Sequence, residues 1–267
     1  IYKDKISASA YDKETSLVVL SAQDINTARA EDLLNAVYEL YKQDVVDNKN
    51  RVASSTANFI DKRVMLIGQE LTNVENRLAS FKQQNSVIDF QEAAGAMTAQ
   101  SADARQQALQ LETQLSVARY LQEFLQNNSN EHQIIPAINL EKATFNGQID
   151  AYNQLMNERN KNAANSSEQS PLVRDLDKQL ASQRTSILSS VRSYVRSVEM
   201  QANAARSNEN SLMGQVNNAP QAARKALDIQ RQQNLKETLY TYLLNKREEV
   251  ALQLAINEAN VRMVENP

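Results

Sequence analysis

The sequence predicts a mainly α protein with a small α/β base. Long antiparallel coiled-coil helices project from a partial mixed sheet formed by the chain ends. Three observations predict this class. First, only 4 Gly and 4 Pro occur in 267 residues, where average usage would give roughly 19 and 13. These residues punctuate chains and form tight turns, so a sandwich, propeller or lectin-type barrel is excluded. Second, apolar residues recur at heptad spacing through the middle of the chain. Third, strand-like runs lie close to both ends.

The elements follow in order. Ile6, Ala8 and Ala10 alternate with polar neighbours, and Ser16–Ala22 is a β-branched-rich run. With the polar link Asp12–Thr15 between them, they read as two strands. Asn26 or Thr27 caps a helix that nothing interrupts until about Gln84. Its second half carries the clearest periodic signal. Ile60, Val64, Ile67, Leu71, Val74, Leu78 and Phe81 step by 4, 3, 4, 3, 4, 3. Such a seam calls for a partner helix along its length. At 1.5 Å per residue the helix would reach roughly 85 Å, so it is expected to project.

Ser86–Phe90 is a brief extended break. Ser101 is expected to cap a second helix with Asp103 in its first turn. Ala108, Leu111, Leu115, Ala118 and Leu125 form its stripe, ending near Gln126. A polar loop, 127–133, precedes Ile134-Ile135-Pro136, a shorter helix over about Asn139–Lys161, and a second polar loop, Asn162–Ser170. Ser170-Pro171 is a strong helix start, with Ser as cap and Pro at the first helical position. The helix it opens places Val173, Leu180, Ile187 and Tyr194 seven apart, with Leu176, Val191 and Val198 beside them. Gly214–Ala219 is a break before Pro220. A last helix presents Leu227, Leu235, Leu239, Tyr242, Val250 and Leu254, and Val261–Val264 alternates as a closing strand. The domain division expected is a partial α/β base from 1–50 and 221–267, and a helical stalk from 51–220.

Composition excludes several functions. The 29 basic and 32 acidic residues give a net charge of −3, and no basic run has the aromatic interleaving of a nucleic-acid face. Gly68, Gly95, Gly147 and Gly214 are isolated, so neither GxGxxG nor GxxxxGK can be written. There is no Cys, which removes disulfides and thiolate metal sites. His132 is the only histidine and lies in a polar loop, so it reads as a solvated residue rather than a ligand or base. The pairs Glu248-Glu249 and Asp175/Asp177 read as solvated helix faces, and no GxSxG elbow marks a nucleophile. No catalytic residue, cofactor or metal is expected. The 26 Gln and 28 Asn are spread over heptad helices rather than gathered in prion-like tracts. Their amides suit plain helix surface, or contact with sugar hydroxyls. The longest apolar stretch, around Leu17–Leu20, is far below the roughly 18 residues of a membrane span. The chain opens at Ile1 without a signal peptide and reads as a segment of a longer protein.

The segment from Pro220 to Glu249 is distinctive. It carries Leu227, Arg231-Gln232-Gln233, Leu239-Tyr240, Leu243-Leu244 and Lys246-Arg247-Glu248-Glu249. This pattern resembles the membrane-returning helix of the polysaccharide co-polymerases, the Wzc/Wzz-like chain-length determinants of capsule and exopolysaccharide systems. Asn260–Pro267 is similar to that family's last periplasmic strand. Leu20, Asp24, Asn26, Ala30, Leu33-Leu34-Asn35, Tyr38 and Tyr41 resemble its strand–helix entry, and Phe81–Asp89 is likewise similar. The wording of Arg231-Gln-Gln and Tyr240-x-Tyr-Leu-Leu is most like the version in Bacteroidetes, whose parents commonly carry a cytoplasmic tyrosine kinase.

The resemblance implies a periplasmic segment of an inner-membrane protein. It would be non-catalytic, would form a homo-oligomer, and would work with the polysaccharide polymerase and export machinery, and with nascent polysaccharide, to set chain length or export. Its base would be membrane-proximal, and Arg231, Gln232, Gln233, Tyr240 and Tyr242 would be motif or oligomer-interface residues. The chain departs from a complete member in lacking both membrane spans, the first strands of the base, and any Walker motif or C-terminal Tyr cluster. An alternative is a coiled-coil periplasmic adaptor of an efflux or secretion system. Such adaptors need Gly-bearing, lipoyl-like β units, for which this chain has too few strands and Gly. A polysaccharide-active enzyme is a further alternative, for which the sequence offers no paired-carboxylate constellation.

Overall fold

The computed structural model describes residues 5–12, 15–84, 99–140, 143–214, 221–256 and 261–265. These form strands β1 (Ile6–Ala10) and β2 (Val18–Ala22), then helices α1 (Thr27–Gln84), α2 (Ala99–Gln126), α3 (Asn146–Asn165), α4 (Pro171–Gly214) and α5 (Gln221–Ala255). A single 3₁₀ turn, Asn128–Asn130, follows α2. The fold is therefore mainly α with a small sheet, the class that the scarcity of Gly and Pro and the heptads predict. The chain divides into two compact units, Ile1–Arg51 with Leu254–Pro267, and Val52–Gln253.

The first unit holds the sheet. β1 and β2 pair antiparallel with Ile6 opposite Ala22 and Ala10 opposite Val18. Side chains alternate across a strand, so Ile6, Ala8, Ala10, Val18, Leu20 and Ala22 share one face. Ser7, Ser9, Val19 and Ser21 share the other, where the Ser7 and Ser21 hydroxyls lie 2.8 Å apart. Asn26 caps α1, its Oδ1 accepting from the Ala28 N–H at 3.0 Å. Asp24 steadies this entry, accepting from Lys5 Nζ at 2.9 Å and the Asn26 N–H at 3.1 Å. Further along α1, the Tyr38 hydroxyl donates to the Val261 carbonyl at 3.4 Å.

Two expectations are corrected here. Val261–Val264 is irregular rather than a closing strand. Among the described residues the sheet is an antiparallel pair from the N-terminal side, not a mixed sheet of both ends. The physical reason is partnership: Val261 offers its carbonyl to the Tyr38 hydroxyl, and among the described residues the strand pairing runs between β1 and β2.

The second unit is a helical bundle with a continuous core. From α1 it buries Phe59, Ile60, Ile67, Val74 and Leu78, and from α2 it buries Leu115, Val117, Ala118, Leu121 and Leu125. α4 contributes Val173, Leu180, Ile187, Val191 and Val198, and α5 contributes Leu239, Leu243 and Val250. Paired residue numbers fall on one helix as they rise on the other. Thus Glu70 meets Lys236 and Arg77 meets Gln232, while Glu112 meets Arg206 and Arg119 meets Glu199. α1 with α5, and α2 with α4, are therefore antiparallel partners.

Ser170 caps α4 as the sequence requires, its Oγ accepting from the Val173 N–H at 3.2 Å, with Pro171 first in the helix. α2 is already helical at Ala99, so Ser101 lies inside the helix and is not its cap. α3 starts at Asn146 rather than Asn139. Asn139 has φ 50°, in the left-handed region that Asn tolerates, and it lies in an irregular strap over 134–140 instead of opening a helix. The expected breaks at Ser86–Phe90 and 215–219, with Pro220, lie outside the described residues.

Candidate functional site

The helix that bears the motif, α5, is built into the bundle by its polar residues as much as by its leucines. Arg231 donates to Glu209 Oε1 and to Asn210 Oδ1 of α4, both at 3.2 Å. Glu209 is 2% exposed. Asp228 lies 3.5 Å from the same guanidinium, one turn back on α5. Gln232 is exposed and accepts from Arg77 of α1 at 3.4 Å, and Gln233 Oε1 accepts from Gln230 at 3.0 Å. Lys236 reaches Glu70 at 2.5 Å. Tyr240 is half-buried with its ring edge over Gly68 of α1, and Tyr242 is half-buried nearby on α5. These contacts of Arg231, Gln232 and Tyr240 with other helices run to α1 and α4 of the same chain.

The α1 seam faces inward. Ile60, Ile67, Val74 and Leu78 are buried and Val64, Leu71 and Phe81 half-buried. His132 is mostly exposed, its Nδ1 3.9 Å from Asp177. No group of three or more His, Cys, Asp or Glu able to hold a metal occurs among the described residues. No helix among them is long and apolar enough to cross a membrane.

Several residues that the sequence reading did not single out organise the bundle. Asn153 of α3 holds the strap by both backbone groups of Ile135: its Oδ1 accepts from the N–H and its Nδ2 donates to the carbonyl, each at 2.8 Å. Thr56 of α1 accepts from the Ala137 N–H at 3.0 Å while donating to the Val52 carbonyl at 2.8 Å. Arg184 is buried on the apolar stripe of α4. Its Nη2 donates to the carbonyls of Phe124, Leu125 and Asn127 at 3.2, 3.0 and 3.4 Å. These carbonyls close α2, where a cation also meets the negative end of the helix dipole.

Arg63 lies over the Tyr120 ring at 4.3 Å and pairs with Glu123 at 2.6 Å. Burial pushes the Tyr120 hydroxyl up to about 12, with Glu70 adding to it. Burial likewise raises Tyr152, whose hydroxyl donates to the Glu131 carbonyl at 3.0 Å. Arg159 joins α3 to α4 and the loop between them. It donates from Nε to Asp177 at 2.9 Å and from Nη1 to Glu168 at 3.0 Å, and these carboxylates hold it charged. In the first unit, the Lys5 ammonium and the Asn26 N–H keep the Asp24 carboxyl below its ordinary value.

One signal in the sequence marks Arg184 and Glu209. Both stand where the stripe Val173, Leu176, Leu180, Ile187, Val191, Val198, Ala202 and Ala205 calls for an apolar residue. Asn153 leaves no comparable trace, because its partner is backbone.

The apolar hairpin face is the second feature. Ile6, Leu20 and Ala22 are half-buried, but Ala8, Ala10 and Val18 are exposed, Val18 at 65%. No described residue of this unit is buried. Tyr11, Leu17, Val19, Ile25, Leu40 and Tyr41 are also exposed.

Comparison with known proteins gives a distant likeness. No family model matches this chain, and no solved structure matches it. Over 148 residues the chain is 24% identical to tyrosine-protein kinase ptk of Acinetobacter johnsonii. The match takes in 55% of this chain and 19% of that protein, so the chain spans about a fifth of the relative it matches. The likeness fits the polysaccharide co-polymerase resemblance in its coarse form. The matched stretch is a small share of that kinase, and no glycine-rich phosphate loop can be written in this chain's own sequence.

Proposed function

We propose that this chain is a periplasmic module of an inner-membrane polysaccharide co-polymerase, and that it self-associates to set the length or export of capsular or exopolysaccharide. The observation that carries the reading is the contrast in burial between the units. The helical unit closes its own core, while the hairpin unit keeps the Ala8, Ala10 and Val18 end of its apolar face exposed. Isolated two-stranded hairpins are marginal in water, and a contiguous apolar surface marks an interaction site. A second copy packing on that face would bury it. The end motifs and the distant likeness to a bacterial tyrosine-protein kinase support the same reading. The module acts mechanically. The parent's membrane spans hold it, and its self-association presents a ring or cluster to the polymerase and the growing chain.

Placing Val18→Asp in the parent, on the face that a second copy would cover, and separating the polysaccharide on a gel tests this. A shifted length distribution or a lost yield is expected, and an unchanged pattern sinks the proposal. The adaptor reading has less support, since the described residues contain two strands and a lipoyl-like unit needs many more.

A further inference from the structure

Three polar side-chain atoms are buried at the seam of α3 and α4 without a protein hydrogen-bond partner among the described residues. They are Asn157 Oδ1 of α3, and Gln183 Oε1 and Arg184 Nη1 of α4. Asn157 is 2% exposed and Arg184 9%, so solvent bathes neither head group. The Arg159–Asp177 pair sets the register of the two helices. Moving away from it, from 159 to 152 and from 177 to 184, the chains run antiparallel and bring Tyr152 to Arg184. Burial raises the Tyr152 phenol, and the nearby Arg184 charge opposes that rise. Asn157 and Gln183 fall within the same span.

The chemistry of the three atoms is complementary. Each amide oxygen accepts, and the guanidinium N–H donates. A buried polar group left unpaired loses its hydration without return, so such groups are met by protein or by ordered water. Water both donates and accepts, and an internal molecule typically makes about three bonds to groups of this kind. An anion would suit Arg184 but would face the two amide oxygens and the carbonyls of Phe124, Leu125 and Asn127 gathered at Nη2. A cation would suit the oxygens and be repelled by the guanidinium.

We infer that the α3–α4 seam is a binding site for internal water, which accepts from Arg184 Nη1 and donates to the amide oxygens of Asn157 and Gln183. Arg184 already closes the carbonyl end of α2 through its other nitrogen. With the water in place, one guanidinium joins α2, α3 and α4 through a polar seam inside an apolar core. The site belongs to the helical unit alone and stands or falls apart from the polysaccharide reading.

The test uses the whole 267-residue chain, observed by NMR with water itself as the probe. Cross-relaxation is read between water and the Cδ protons of Arg184 and Cγ protons of Gln183, which do not exchange chemically with solvent. Its sign should be that of water held for the tumbling time of the protein. Replacing Gln183 by Met and Asn157 by Leu together keeps side-chain bulk and removes both acceptors. The long-lived signal at Arg184 should then be lost, with an unchanged circular dichroism spectrum verifying the fold. The wild-type signal tests the site even where that double variant folds poorly. Titrations with sodium chloride and sodium gluconate at equal ionic strength separate an anion from water. A saturable shift of the Arg184 Nε signal with chloride alone overturns the assignment. So does wild-type cross-relaxation of the surface-water sign, or a long-lived signal at Arg184 that the folded double variant leaves unchanged.

Discussion

Between Val52 and Gln253 the chain buries Ile60, Tyr152, Ile187 and Leu243 almost completely, whereas no described residue of the hairpin unit is buried. Both units are drawn from the same glycine-poor, amide-rich sequence, so composition does not separate them. Geometry does. A helix with a heptad seam can meet three or four others and close a core, and the bundle does so with Leu, Ile and Val at a 3.5- or 3.6-residue period. A two-stranded sheet has two faces and two edges and too little chain to cover them. The helical unit therefore carries its stability within itself. The hairpin unit relies on polar fastenings, Lys5–Asp24 and the Asn26 cap, and leaves apolar surface exposed.

The sharpest way to break this contrast is to unpair the buried charge in the bundle. Arg231→Ala strands Glu209, and removing one partner of a buried pair costs about 3–5 kcal/mol. Urea unfolding followed by circular dichroism should show that loss, and replacing Glu209 by Leu together with Arg231→Met should restore most of it. A shift under 1 kcal/mol would mean that the pair is solvated. Asn153→Leu comes next. It orphans the Ile135 N–H and carbonyl, at about 1–3 kcal/mol for such groups, and amide exchange at Ile135 should accelerate.

Gly68→Ala has the opposite sign. A Cβ at 68 would sit 3.6 Å from the Tyr240 ring, an ordinary contact, and Ala gains about 0.5–1 kcal/mol over Gly inside a helix. A lowered midpoint would show that Tyr240 packs closer than it does here.

Alkaline titration probes the contact between α1 and α2, where Arg63 lies over Tyr120. The folded Tyr120 hydroxyl is raised to about 12, against about 10 unfolded. Its contribution is therefore complete below pH 10 and is lost as pH rises through 12. In Tyr120→Phe that part of the alkaline destabilisation should disappear, and so should one phenolate absorbance step near 12.

Val18→Asp should change stability least, by less than about 0.5 kcal/mol, because the side chain is exposed. It should still abolish self-association measured by sedimentation. Loss of stability with association intact would reverse the roles assigned to the units.

Much of the fold was legible in the sequence because it rests on local, periodic signals. The α1 seam, the Ser170-Pro171 start, the Asn26 cap and the two N-terminal strands all write their cause within a few residues. The strand expected at Val261–Val264 failed because alternation over four residues says nothing about a partner. Helix α3 was begun too early because the turn at Asn139 depends on one backbone angle. The motif residues were visible, but their partners were not. Nothing local to Arg231 announces Glu209, 22 positions earlier on another helix.

Thr56 has a consequence in time. Its hydroxyl waits for the amide of Ala137, 81 residues later in the chain. With ribosomes adding about 5–20 residues per second, that partner follows by about 4–16 s. The Tyr38 contact with Val261 spans 223 residues, an interval on the order of 10–40 s. The hairpin, with β1 and β2 side by side, can zip as soon as it emerges. For much of its synthesis the nascent chain therefore presents an α1 seam still lacking its α5 partner. A chaperone that shields the first helix until the last arrives would raise the yield of correctly assembled protein.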